Sequence, residues 1–148
     1  MVKIPPPIWG LGYLAVALAV SAFAGWPRLP GLPLVPPAVV LIVSGFALAG
    51  SAAWLFLSEG TAIYPTAPIN LKLVVAGPFR LTRNPMYVGL ILIMLGVAFA
   101  VGTWPTFLVP IAMFLTVHFA HVPFEEQKMR RQFGAEYDAY CKAVRRWV

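Results

Sequence analysis

The chain has 148 residues, is 60% hydrophobic and only 11% charged, and carries a formal net charge of +6 with a mean hydropathy of +0.81. A soluble domain of this length needs a polar surface that such a composition does not supply, so the chain is read as an all-α integral membrane protein. The charge does not form a nucleic-acid footprint: Lys72, Arg80 and Arg83 fall in one connector, and Lys128, Arg130, Arg131, Lys142, Arg145 and Arg146 in the tail. That clustering is a membrane-topology pattern, with attraction to anionic membrane lipids as its natural accompaniment.

The first apolar segment, residues 8–25, runs directly toward a second and reads as a retained helix rather than a cleaved leader. The second, residues 34–57, is long enough to cross ~30 Å of hydrocarbon with some tilt. The connector, residues 59–85, holds Pro65, Pro68, Pro78 and Pro85, which exclude one continuous helix. A short extended piece is expected over residues 71–76. Asn84 before Pro85 predicts a helix start, with Asn84 as N-cap and Pro85 at the first position. The third segment, residues 86–101, is short for a span, and the fourth covers residues 104–122. Only Gly102 and Thr103 separate them, which predicts a tight helical hairpin with Gly102 at the C-cap. Phe124, Lys128 and Arg131 continue the helical spacing, so the fourth helix should run on until Gly134. A short helix over residues 135–144 should follow.

These elements make one domain, residues 1–148, with two N-terminal helices (1–58) and a second part (59–148) holding connector, hairpin and tail. Four transmembrane helices would place both termini and the connector on one side. That side carries nearly all the Lys and Arg, so it is expected to be cytoplasmic. Trp26 and Trp104 would then mark the outer interface and Trp147 the inner one. Cys141 is the sole cysteine, so no intrachain disulfide forms, and a free thiol fits a reducing face.

Three clusters have chemical potential. The stretch GPFRLTRNPMYVG, residues 77–89, puts Arg80, Arg83, Asn84 and Tyr87 just before an apolar run. Read locally, it is either an anchor of snorkelling arginines and a belt tyrosine, or a loop whose main chain and arginines meet a nucleotide-like or anionic ligand. His118, His121 and Glu125 fall near one helical face at spacings of three and four, with Glu126 adjacent. They suit a metal site lacking a third strong ligand, the start of a solvated helix, or an acidic pair that receives a cationic group. Phe133, Tyr137 and Tyr140 share a face that suits either a bilayer-lying helix or a pocket lid.

Residues 73–89, LVVAGPFRLTRNPMYVG, and residues 125–147, EEQKMRRQFGAEYDAYCKAVRRW, lie in that order across a helical hairpin. In this arrangement the chain resembles the isoprenylcysteine carboxyl methyltransferase family and its phospholipid methyltransferase relatives, over roughly the C-terminal half. The resemblance implies a membrane methyltransferase using S-adenosyl-L-methionine, with a cytoplasm-facing cofactor pocket, no metal, and a lipophilic acceptor entering from the bilayer. It implies that Gly77, Pro78, Phe79, Asn84, Pro85 and Tyr87 line that pocket, and that His121, Glu125 and Glu126 form its helical wall. One carboxylate would receive the cofactor's ammonium, and Tyr137 and Tyr140 would close the site. Arg83 and Arg145 would lie near the acceptor, which points to a carboxylate as the methylated group. A lipid amine or thiol is the alternative, and a non-catalytic lipid-binding scaffold is the competing class. Two positions depart from the family pattern: Arg83-Asn84-Pro85 stands where Arg-His-Pro is common, and Val144-Arg145-Arg146 where Val-Pro-Arg is common.

Overall fold

The computed structural model describes residues 4–60 and 72–148, and every regular element among them is helical. In chain order these are α1 (Pro6–Phe23), α2 (Val35–Ser58), a 3-10 turn (Gly77–Arg80), α3 (Pro85–Val101), α4 (Trp104–Thr116), a π-helical turn (Val117–His121), α5 (Val122–Phe133) and α6 (Ala135–Ala143). Proline sits in the first turn of each of α1 to α5. The missing N–H costs nothing there, because that donor has no partner within the helix.

Among the described residues, three helices are long and apolar enough to cross a membrane: α1, α2, and the continuous run Trp104–Phe133. α3, expected as a fourth span, is apolar but only 17 residues long, so three spans are supported and the fourth is not. The run from Trp104 continues as expected into α5, and Gly134 stops it with φ of 49°. The hairpin also forms. Gly102 closes α3 in the left-handed region, its N–H on the Ala98 carbonyl at 2.8 Å, and a Cβ there would lie 2.8 Å from the Leu32 Cβ. Residues 72–76 form no regular element, while Leu71, Pro65 and Pro68 of the connector lie outside the described residues.

Membrane helices gain no hydrophobic energy by meeting one another, so close backbone approach must hold them. The α2–α3 pair is the most extensive helix contact. Its seam is built from Ala38, Ile42, Gly45 and Ala49 facing Gly89 and Gly96. A Cβ on Gly89 would stand 2.5 Å from the Gly45 carbonyl oxygen, and one on Gly45 2.6 Å from that of Gly89. α1 packs instead on α4, through hydrogen bonds between Tyr13 and Thr116 at 2.7 Å and between Ser21 and Thr103 at 2.8 Å. The loop between α1 and α2 is tied to the hairpin by Leu29 N–H on the Gly102 carbonyl. The molecule thus has one polar end, where α2 finishes and α3 begins beneath α5, α6 and the C-terminus.

Gly89→Val should destabilise the fold by about 1–3 kcal/mol through overpacking. Gly50→Ala, at a helical glycine with open space around its Cβ position, should be neutral or stabilising by up to about 1 kcal/mol. Thermal unfolding of the two variants in detergent checks the contrast.

Candidate active site

A cavity of about 460 Å³ occupies the polar end. The loop before α3 supplies Phe79, Arg83 and Asn84, and the first turns of α3 supply Pro85, Met86 and Tyr87. α5 contributes Glu125 and Glu126, and α6 contributes Tyr137 and Tyr140. Away from these groups the lining is apolar, from Phe46, Ala49, Ala53 and Phe56 of α2 and from Leu90 and Ile93 of α3.

Glu126 organises the polar side. It is 6% exposed and accepts from two guanidiniums. Arg146 reaches it with both Nε (2.9 Å) and Nη2 (2.7 Å), and Arg83 Nη2 adds a third bond at 3.1 Å. The two-pronged arginine contact is the strongest form of such a pair. Around it, the C-terminus is sewn to the loop before α3. Arg83 N–H donates to the Arg145 carbonyl at 3.0 Å. The Thr82 hydroxyl and the Asn84 side-chain amide both donate to the Arg146 carbonyl, at 3.0 and 2.9 Å. Trp147 packs against Phe114 and His118 and donates its indole N–H to His118 Nδ1 at 3.1 Å.

Glu125 has a different partner, the Tyr87 hydroxyl, which donates to its Oε1. The π-helical turn sets this division of labour. It inserts an extra residue into the helix and changes the register between the histidines and the carboxylates, so His118, His121 and Glu125 do not form one working face. His118 turns to Trp147, whereas His121 is fully buried beside the Tyr87 ring with neither ring nitrogen hydrogen-bonded.

Tyr140 donates its hydroxyl to the Phe79 carbonyl at 2.7 Å, which holds α6 over the 3-10 turn. Burial pushes its phenol up to about 12, against a smaller downward pull from Arg83. Burial also raises Tyr137, and the nearby Cys141 and Glu126 add to it. Both phenols are therefore protonated at neutral pH and act as hydrogen-bond donors rather than bases.

Of the residues expected at the site, the cavity brings together Phe79, Arg83, Asn84, Pro85, Tyr87, Glu125, Glu126, Tyr137 and Tyr140. Four are placed elsewhere. Gly77 and Pro78 stand behind the site: Gly77 has φ of 56°, and a Cβ there would meet Leu55 of α2 at 2.7 Å, so the turn serves to aim Phe79 inward. His121 is packed in the helix interior behind Tyr87. The Arg145 side chain is exposed, because the extended backbone at Val144 alternates the side chains and turns Arg146 inward instead. Asn84 also departs from its expected role. Its side chain makes no cap hydrogen bond and is drawn to the Arg146 carbonyl, while its own carbonyl accepts from Tyr87 and Val88 and so starts α3.

Glu126→Gln would leave two guanidiniums facing a neutral amide, and loss of a buried ion-pair partner costs about 3–5 kcal/mol. Arg146→Ala should loosen the C-terminus in the same way, and Arg145→Ala should leave stability unchanged. Thermal unfolding with limited proteolysis of the tail distinguishes the three.

A comparison with family models matches residues 34–136 to phospholipid methyltransferase. The match takes in α2, which the sequence likeness had left out, and ends at the start of α6, before the basic C-terminus. No curated protein and no solved structure matches the chain. Since the family match covers most of the chain and spans both carboxylates, the loop before α3 and the hairpin between them, the chain belongs to the phospholipid methyltransferase family.

Proposed function

We propose that the cavity binds S-adenosyl-L-methionine and a lipophilic acceptor together, and that the protein transfers a methyl group to the acceptor's polar head. The observation that carries this reading is a pair of complementary groups on one lining. Glu125 is the cavity carboxylate not held by an arginine, and Arg83 keeps a buried Nε–H without a partner. A carboxylate and an N–H of a guanidinium are what the ammonium and carboxylate of an amino-acid moiety need. The cavity volume lies within the roughly 300–1,000 Å³ range of small-molecule sites. When bound, the cofactor supplies a methyl group on a sulfonium that is already activated for displacement.

The chain's own contribution is then mainly positioning. Tyr87 orients Glu125 through its hydroxyl. Glu126, clamped by Arg83 and Arg146, fixes the loop that carries Phe79, Asn84 and Pro85. Tyr137 and Tyr140 cover the polar end and limit water access. The carboxylate-acceptor reading rested on Arg83 and Arg145. Arg83 bonds Glu126 through Nη2, its remaining Nε–H is assigned to the cofactor's carboxylate, and Arg145 faces away from the cavity, so a lipid amine or thiol is the better-supported acceptor. The exposed basic groups at this end, Arg80, Arg131, Lys142 and Arg145, support a cytoplasmic placement of the site and of the C-terminus by the positive-inside rule.

Calorimetric titration of purified protein with S-adenosylhomocysteine should show saturable binding. Glu125→Gln should weaken it about tenfold or more, as expected when a buried charge-assisted contact is lost. Unchanged affinity in that variant would move Glu125 from the cofactor to the acceptor. A folded wild-type protein with no binding would overturn the methyltransferase assignment of the cavity.

A further inference from the structure

The cavity does not end at its polar groups. Phe46, Ala49, Ala53 and Phe56 line it from α2, at spacings of three, four and three, so they form a single stripe on that helix. Met86, Leu90 and Ile93 line it from α3, at spacings of four and three. Two alanines between two phenylalanines make a trough in the α2 surface. The glycine seam beside it holds α2 hard against α3 and closes the floor. The trough runs from Phe56, level with the polar site, to Phe46, a length of ~15 Å along the helix. That is about half of a ~30 Å hydrocarbon core, the depth of one leaflet.

The trough also has an entrance. α1 packs on α4 and α3 rather than on α2, and only its Pro5–Pro7 end reaches the cavity. Phe46, at the far end of the trough, is 62% exposed on the lipid side. Among the described residues, the space between α1 and α2 is thus open toward lipid, while Glu125 and Tyr87 stand at the inner end.

We propose that this trough holds one hydrocarbon chain of the acceptor lipid, with its head at the polar end of the cavity, and that Ala53 determines which chains fit; this rests on the methyltransferase reading above. Lipid tails are as apolar as the trough, so the chain gains little by leaving the bilayer for it. The trough therefore selects by shape. Bulk added at Ala53 should exclude a chain without touching the cofactor groups.

The probe is a hexadecylamine carrying a photoreactive diazirine at mid-chain, applied to the full-length protein in lipid nanodiscs, with adducts mapped by peptide mass spectrometry. Wild type should be labelled on the inner stripes of α2 and α3. Ala53→Phe should lower that labelling by about tenfold, the scale on which a pocket discriminates by fit. Ala53→Val should give a graded, smaller loss in a protein with less added bulk. Ala47→Phe, exposed on the same helix, should label as wild type does. S-adenosylhomocysteine binding should be unchanged in all three. Equal labelling of wild type and both Ala53 variants, or labelling spread evenly onto the lipid-facing side of α2, overturns the proposal. Trough labelling that responds to Ala53 in a protein without S-adenosylhomocysteine binding would keep the chain site and discard the cofactor assignment.

Discussion

One carboxylate, Glu126, joins three parts of the chain that are distant in sequence. Its helix is α5, Arg83 belongs to the loop before α3, and Arg146 lies two residues from the C-terminus. Glu126 is buried and Arg83 nearly so, and neither could be left alone, since an isolated buried charge is far costlier than a paired one. Once paired, they fix the backbone around them. The Arg145 and Arg146 carbonyls face the loop and accept from Arg83, Thr82 and Asn84. The last residues are thereby tied to the loop that lines the cavity, rather than left to fray.

The clamp also explains the division between neighbouring acids. Glu125 and Glu126 are adjacent on α5 and so point in different directions. The π-helical turn ahead of them sets the rotation at which they meet the rest of the molecule. Glu126 falls on the guanidiniums and becomes structural. Glu125 falls on Tyr87 and stays accessible to the cavity. Without the extra residue in that turn, the register of α5 against α3 would differ, and Tyr87 would not meet the same carboxylate. The apolar helices contribute the second constraint. The glycine seam of α2 and α3 sets how close the trough wall stands to the trough floor, so a contact far from the polar groups shapes the space beside them.

Much of this was legible in the sequence. Proline and glycine marked the ends of helices because their constraints are local: Pro85 opens α3, Gly102 closes it, and Gly134 breaks the long helix. Nine of the thirteen site residues expected by resemblance line the cavity. Where the structure differs, the reasons differ as well. Helical spacing assumed a regular α-helix through residues 117–121, and no local signal announces a π-turn, so His121 was placed on the wrong face. Asn84 had the chemistry of an N-cap, but a long-range acceptor at Arg146 competed for its amide and won. Arg145 and Arg146 are identical in type, and only the extended backbone at Val144 decides between them. The trough residues of α2 were invisible for another reason. In a helix that is apolar on every side, hydrophobic periodicity carries no contrast, and the small residues that mark its inner faces read as composition bias.

The two ends of the cavity pose different physical problems. At the polar end, the proposed charged ligand would leave water, and fixed groups would have to replace its hydration; Glu125, held by Tyr87 on the cavity lining, is the group placed to do so. At the apolar end, the ligand leaves one hydrocarbon environment for another, so shape and not transfer energy decides. A site built this way separates its two specificities by residue class. On the proposed function, charge and hydrogen bonding on α3 and α5 would govern the water-soluble partner, and side-chain volume on α2 would govern the lipid. The two meet only at the first turns of α3, where Tyr87 and Met86 are neighbours in sequence and stand on the two kinds of lining. A small rotation of that helix would misalign both partners at once. The Pro85 start, the Asn84 bond to the C-terminus and the glycine seam all act against it.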